Sequence, residues 1–228
     1  MEVSGCRFRL SMVIAFFFIL SMLLILGVVV RDYSRSPDEN FVVALHASGR
    51  GEYILAERGF LRAMKSVEPE VVSASAYRLG LIYSAGHPGV PKDGGKAMAF
   101  FLLAAENGVR VAQYQLALLH DVGDKIPENR EKAKFWMERA ADGGLPEAIY
   151  ALGVWHERGY YGAPDLDVAV PLYERAARTG HINAMKSLVA VYGSGYGAFP
   201  DNLEKSSHWM SEIKRLEQGV PPAFDAQK

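Results

Sequence analysis

The feature that most constrains the fold of this chain is a short pattern that recurs at a nearly fixed spacing. Its leucine comes back after 37, 36 and 36 residues, and a glycine follows each leucine seven residues later. The leucines are Leu79, Leu116, Leu152 and Leu188, and the glycines are Gly86, Gly123, Gly159 and Gly195. A period of this length indicates stacked copies of one supersecondary unit, because a single unit cannot bury its apolar face alone.

Each unit is predicted to be a pair of α-helices. In the first helix, Ala148, Leu152 and Trp155 fall on one helical face, and the glycine ends the helix because it adopts a left-handed conformation at small cost. The second helix repeats an alanine, a large residue, an alanine pair and a closing glycine: Ala97, Phe100, Ala104, Ala105 and Gly108, then Ala133, Trp136, Ala140, Ala141 and Gly144, then Ala169, Leu172, Ala176, Ala177 and Gly180. We expect the alanine pair to let helices approach closely and the large residue to fill the space left.

Taken together, these columns resemble the Sel-like repeat family, whose members are relatives of tetratricopeptide repeat proteins. The stretch "AQYQLALLHDVGDKIPENREKAKFWMERAADGGLPEA", residues 112–148, shows the likeness most clearly. The resemblance covers about residues 75–183 and continues weakly to about 217. It implies an all-α fold, an α/α superhelix of helical hairpins whose first helices line a concave face. It also implies adaptor or assembly roles, often in bacterial envelope or secretion systems or in signalling.

The columns predict where the repeats begin and end. Repeats one to three are residues 75–111, 112–147 and 148–183, and residues 184–218 form a degenerate fourth repeat. Ile213 and Lys214 replace the alanine pair there, as suits a cap with no successor to pack against. We interpret residues 32–74 as a linker and a degenerate helical pair, with Ala56 and Ala63 seven apart, and residues 219–228 as a flexible tail.

An apolar run precedes the repeats. Residues 12–30 are broken only by Ser21 and Gly27, and as a helix they would be roughly 28 Å long, near the ~30 Å of a bilayer core. We predict a short tail at residues 1–10 and a transmembrane signal-anchor helix at 11–31. A cleaved secretion signal is the alternative, since Arg7 and Arg9 precede the run, but no small-x-small cleavage site follows it.

Basic residues stand on both sides of the apolar run, so their count does not decide the orientation. The short basic N-terminus favours a cytoplasmic N-terminus. The expected location is therefore a bacterial inner membrane with an exported, periplasmic repeat domain. Exposure of the repeats to the cytoplasm is the alternative.

Composition argues against several classes of site. Cys6 is the only cysteine, so no disulfide or cysteine metal site is expected in the body, and the net charge of −3 from Ser36 onward gives no sign of nucleic-acid binding. We interpret His120 and His156, which share a column with Tyr83 and Tyr192, as packing residues rather than metal ligands.

Catalytic motifs are also incomplete. Ser211 and Lys214 match S-x-x-K but lack the companion motifs of β-lactamase-type enzymes. We therefore expect no catalytic residue, metal, cofactor or small-molecule substrate. An envelope-acting hydrolase of the β-lactam or peptidoglycan type is the alternative function.

The better candidate site is a stripe on the first helices, two residues before each leucine and four and seven residues further on. It reads Tyr77, Leu81, Ser84; Tyr114, Leu118, Asp121; Tyr150, Val154, Glu157; and Lys186, Ala190, Gly193, with Arg78 and Arg158 beside it. Tyrosine offers a large rigid contact area with a polar tip. The residues predicted to bind a peptide or protein partner are Tyr77, Tyr114, Asp121, Tyr150, Glu157 and Arg158. The alternative, that the tyrosines only pack between neighbouring first helices, stays open. The expected function is that of a non-enzymatic, membrane-anchored interaction module.

Overall fold

A computed structural model describes residues 35–122, 129–160, 162–195 and 202–221. These ranges contain ten α-helices and no β-strand, which confirms the predicted all-α class. The predicted N-terminal tail and transmembrane helix, residues 1–31, lie outside the described residues, as does most of the predicted C-terminal tail. Among the helices that are described, none combines the length and the apolarity needed to cross a bilayer.

The chain divides into two compact units, residues 1–75 and 76–228. In the first, α1 (Pro37–Gly49) packs against α2 (Tyr53–Ala63). A capping box at Ser36 and Glu39 begins α1. The two helices approach closely at Gly59, where an added Cβ would stand 2.7 Å from the Cβ of Ala44. The boundary between the two units falls within α3 (Pro69–Ala85).

The second unit continues with seven helices, each of which packs against the next one in the chain. They are α4 (Gly94–Glu106), α5 (Arg110–Val122), α6 (Arg130–Asp142), α7 (Pro146–Glu157), α8 (Leu166–Ala177), α9 (Ile182–Ser194) and α10 (Leu203–Glu217). Packing in sequence order is typical of a helical repeat array, in which each unit contacts only its neighbours.

The recurring leucines and the alanine pairs form the core of the second unit, as the columns predicted. The leucines Leu79, Leu116, Leu152 and Leu188 are buried, and so are all six alanines of the three pairs. In α10 the equivalent positions differ, because Ile213 is half-buried and Lys214 is exposed.

In the first repeat, Phe100 was predicted to fill the space beside the alanine pair, but the buried ring is that of the next residue, Phe101. Phe100 is half-buried and stacks on Tyr83, with ring centroids 5.7 Å apart. Phe101, one residue later, is fully buried and lies over Gly80, where an added Cβ would stand 2.5 Å from the ring. The glycine therefore makes room for the ring at this helix crossing.

The third repeat has the same arrangement. A Cβ added at Gly153 would stand 2.7 Å from the ring of Tyr173, which is fully buried. In the second repeat the two columns hold Ala117 and Met137, a small residue and a flexible one, and both are fully buried. The residue after the leucine is thus glycine where the second helix carries a buried aromatic ring, and alanine where it carries methionine, as close packing requires.

The glycines predicted to stop helices do so where the structure describes them. Gly86, Gly159 and Gly195 end first helices with φ of +72°, +69° and +61°, and Gly108, Gly144 and Gly180 follow second helices with φ of +82°, +83° and +89°. After Gly108 and Gly144, the next residue donates its N–H to the first alanine of the pair, at 3.0 and 3.1 Å. This is the hydrogen bond of a Schellman-type ending.

A capping column that the sequence analysis missed joins the two helices of each hairpin. Its members are Asp93, Asn129, Asp165 and Asn202, whose side chains accept a hydrogen bond from the backbone N–H three residues on, at 2.9–3.1 Å. Each also donates its own N–H to the carbonyl of the ring position in the first helix, namely Tyr83, His120, His156 or Tyr192, at 2.9–3.0 Å. One residue therefore caps the second helix and fixes its start against the first.

We predict that Gly80→Ala lowers the free energy of unfolding by about 1–3 kcal/mol, because the new methyl group must displace the ring of Phe101. Urea unfolding of the purified chain measures this change. The matched control is Gly95→Ala in α4, where the nearest atom to an added Cβ is 3.5 Å away. The control should be neutral or stabilise by about 0.4–1 kcal/mol, because alanine reduces the freedom of the unfolded chain. Equal losses in both variants would contradict the close crossing.

Candidate functional site

The stripe predicted on the first helices is partly exposed along its whole length; we call these twelve positions the first-helix stripe. All three positions on each of α3, α5 and α7 are half-buried, and the three on α9 are exposed. The cause is helical geometry, because positions two before the leucine, and four and seven further on, lie beside the core face rather than on it. Side chains there are held at one end and accessible at the other.

Two of the three tyrosines of the stripe contact rings of neighbouring elements. The ring centroids of Tyr77 and Phe101 of α4 are 6.0 Å apart. Tyr150 lies 5.6 Å from Tyr173 of α8 and 4.7 Å from His181 before α9. Burial, and secondarily the charge of Glu147, raise the pKa of Tyr114. The rings of Tyr77 and Tyr150 therefore have a packing role, and partner binding by the stripe stays a prediction.

The two carboxylates of the stripe are oriented by tyrosine hydroxyls. Tyr160 donates a hydrogen bond to Oδ1 of Asp121, and Tyr173 donates to Oε2 of Glu157 at 2.5 Å. Burial and then the bond to Glu157 raise the pKa of Tyr173 far above its ordinary value, so this hydroxyl stays protonated and donates. A carboxylate has room for further donors, so both groups can still accept hydrogen bonds from a partner.

Tyr160 is itself fixed from two sides. Its ring stacks on Trp155 with centroids 4.6 Å apart, and the guanidinium of Arg130 lies 5.2 Å from its centroid. Asp121 lies in the last turn of α5 and Tyr160 follows α7, so this bond ties the second hairpin to the third. Arg158, the remaining predicted site residue, is the C-cap of α7 and is exposed.

His181 is a residue of this region that the sequence analysis missed. Its Nδ1 accepts the N–H of Ala184 at 3.2 Å and so caps α9. Burial is the main cause that lowers its pKa, and the charge of Glu147 opposes the shift. In the sequence, the only sign of this role is that His181 is the one polar residue in a column otherwise occupied by Val109 and Leu145. Histidine is not among the common N-cap residues, which is why the pattern did not point to it.

The ring column assigned to packing is largely buried. Tyr83, His120 and Tyr192 are each at most 6% exposed, while His156 is half-buried. Nδ1 of His120 has no hydrogen-bond partner among the described residues, and burial followed by the charge of Lys132 lowers its pKa. Tyr192 donates to Oε1 of Glu174 at 2.9 Å; burial and this bond raise its pKa to about 12.

Neither a metal site nor a serine nucleophile is assembled in the part of the chain that the structure describes. Within it, no group of three or more His, Cys, Asp or Glu side chains could hold a metal ion. Ser211 is exposed, and its hydroxyl donates to the carbonyl of His208 in its own helix at 2.7 Å. The hydroxyl of the S-x-x-K motif is thus hydrogen-bonded to the backbone of its own helix.

Helical hairpins packed in sequence order, each closed by glycines and joined by a cap, define a helical repeat protein. The family model described as Sel1 repeat matches three consecutive segments, residues 73–109, 110–145 and 146–181. These three Sel1 repeats support placing the chain in the Sel-like repeat family, as its repeated columns indicated. Sel1 repeat proteins are generally protein-interaction modules, and their fold is typically a non-enzymatic scaffold.

Solved structures with the same fold are similar to this chain. A Sel1 repeat protein from Oxalobacter formigenes has 26% sequence identity and a TM-score of 0.68, over 82% of this chain and 75% of that one. The protein c5321, a protective antigen present in uropathogenic Escherichia coli strains displaying an SLR fold, has 22% identity and a TM-score of 0.67. That comparison covers 83% of this chain but only 40% of the length of c5321. A search of curated proteins gives no match.

We predict that the free energy of unfolding falls as the pH is lowered through about 6.5. His120 and His181 have folded-state pKa values below their ordinary value, so the unfolded chain binds protons first. Their contribution to the free energy of unfolding is therefore present above the ordinary histidine pKa and is lost as the pH falls below it. Asparagine can cap a helix without titrating, so His181→Asn should make the fall shallower. Urea unfolding across this pH range measures both slopes, and equal slopes would contradict the role given to His181.

Proposed function

We propose that this chain is a membrane-tethered interaction module that binds a peptide or protein segment along the first-helix stripe. The tether is the apolar segment at residues 11–31, and the repeats lie on the exported side of a bacterial inner membrane. Partner contacts are made by Tyr77, Tyr114, Asp121, Tyr150, Glu157 and Arg158. By family resemblance, this is the concave face of the array.

The observation that carries the proposal is the common register of the stripe. The same three positions recur on successive first helices and are half-buried on α3, α5 and α7. Both apolar and polar atoms of the stripe are therefore accessible to a partner in one continuous band. Such a band suits an extended partner that crosses several repeats, since each repeat adds a similar set of contacts. Tyrosines held on one side by Phe101 or Tyr173 are rigid, which reduces the entropy lost on binding.

Charge on the stripe supports recognition rather than catalysis. Asp121 and Glu157 are held in place by hydroxyl donors, so a partner need not order them. Exposed Arg158 adds a positive charge next to Glu157 in the chain. Opposite charges at neighbouring positions select partners by charge pattern.

Tethering supports the same function by raising the local concentration of the module near other membrane proteins. The side of the membrane is tested directly by fusing a reporter, active on one side only, to Lys228. Activity of a periplasmic reporter is the expected result, and activity of a cytoplasmic reporter would overturn the exported orientation.

The stripe is tested in two steps. A photoreactive amino acid at Val154, half-buried on the stripe, should crosslink a discrete partner in intact cells, whereas the same group at exposed Met210 of α10 should not. The partner identified in this way is then titrated against purified variants.

We predict that Asp121→Asn combined with Glu157→Gln raises the Kd for that partner at least tenfold, since charged contacts at an interface centre are worth more than about 1.4 kcal/mol. The amide oxygens can still accept from Tyr160 and Tyr173, so the melting temperature should change little. The matched control neutralises two exposed acids of α10, Glu204→Gln with Glu217→Gln. If the stripe variant binds as tightly as the control, the stripe is not the binding surface.

A further inference from the structure

The outward side of α2 combines apolar and basic side chains. Its inner side, with Ala56, Gly59, Phe60 and Ala63, is buried. On the opposite side of the helix Ile54, Arg58 and Leu61 follow one another at intervals of four and three residues, and Lys65 stands in the turn just after the helix; all four are exposed. Leu55 and Arg62 flank this row. We call these six residues the α2 outer face; its leucines and isoleucine are 38–46% exposed.

The basic end of this face lies beside the start of α1. Oγ of Ser66, just after α2, donates to Oδ1 of Asp38 in the first turn of α1 at 2.8 Å. Lys65 and Val67, which is 91% exposed, are therefore at the end of the hairpin where the chain enters α1. Further along, Phe41 of α1 contacts Phe60 of α2 with ring centroids 5.8 Å apart, so the two helices run side by side.

The distance to the predicted anchor is short in sequence. Residues 32–36 separate the apolar segment from Pro37, the first residue of α1. Even fully extended, such a linker spans about 20 Å, so an anchored chain holds this end of the hairpin close to the bilayer surface. The basic side chains at this end of the hairpin are then held close to the bilayer. The negative potential of an anionic bilayer attracts basic residues and falls off within a screening length of about 8 Å at physiological ionic strength.

Most of the acidic side chains near this end of the hairpin stand at helix starts. Glu39 accepts the N–H of Ser36 at 2.9 Å, and Asp38 accepts from Ser66. Both sit in the first turn of α1, where the helix dipole favours negative charge. Glu68 and Glu70 flank the first residue of α3, and half-buried Glu57 borders the α2 outer face. The charges on the face itself are Arg58, Arg62 and Lys65.

We propose that the α2 outer face lies against the anchoring bilayer and that anionic lipid headgroups are its ligand. Arg58, Arg62 and Lys65 contact the headgroups, while Leu61 and Val67 enter the boundary between headgroups and acyl chains. The long basic side chains can keep their charge in the polar layer while their stems cover apolar surface. This inference rests on the membrane tether of the proposed function, and it adds an orientation of the first unit on the membrane.

The test uses the full-length chain in lipid nanodiscs. Cys6 is replaced by serine, and a single cysteine is introduced as Leu61→Cys. The rate at which an uncharged, water-soluble maleimide reacts with it is compared in discs of phosphatidylcholine and in discs that also contain phosphatidylglycerol. Met210→Cys, an exposed position of α10, is the control for effects of disc charge on the reagent.

We expect the reaction at position 61 to be about fivefold slower or more in anionic discs, the factor that corresponds to one basic residue at an anionic surface. High salt, which shortens the screening length to about 3 Å at 1 M, should remove this protection. Arg58→Glu with Lys65→Glu should remove it too. Lys132→Glu with Lys214→Glu, which reverses two exposed lysines outside both surfaces, should not.

The outcomes separate this inference from the tether. Equal rates at position 61 in both discs, with the chain co-eluting with both, would leave the tether intact and overturn the contact of α2 with lipid. Co-elution with anionic discs alone would overturn the tether, and it would support a lipid-binding α2 outer face only if Arg58→Glu with Lys65→Glu abolished it. Co-elution with neither disc would overturn both.

Discussion

The close crossing of helices at positions without a large side chain is the interaction on which the second unit depends. Gly80 and Gly153 let the rings of Phe101 and Tyr173 lie directly on a helix backbone, and in the second repeat the same two columns hold Ala117 and Met137, both fully buried. Because interiors are packed nearly to crystal density, these pairs fix how far apart the helices stand. Helical periodicity sets which positions form the stripe, and the distance between helices then decides how much of each stripe side chain remains exposed.

The period, the helix ends and the buried columns could be predicted because each is marked by a residue that recurs in every repeat. Spacing alone could not choose between Phe100 and Phe101, since both columns carry large side chains in all three repeats. The caps Asp93, Asn129, Asp165 and Asn202 were missed because loops of unlike sequence precede them. Their role becomes visible only when their N–H groups are seen to bond back to the first helix.

The candidate site could be predicted in position but not in detail. The stripe follows from helical periodicity, whereas the partners of its carboxylates come from elements that have no fixed offset from it. Tyr160, which holds Asp121, is 39 residues away, and Tyr173, which holds Glu157, is 16 residues away. Tyr173 thus serves both the helix crossing at Gly153 and the orientation of Glu157, a residue of the proposed binding surface.

The most direct test of this account is a double-mutant cycle on the free energy of unfolding with Gly153→Ala and Tyr173→Met. Together these changes give the third repeat the pair that the second repeat carries, Ala117 with Met137. If the ring excludes a Cβ at position 153, the alanine costs at least about 1 kcal/mol less beside methionine than beside tyrosine. Additive effects of the two changes would show that ring and glycine do not share one space, and would contradict the account.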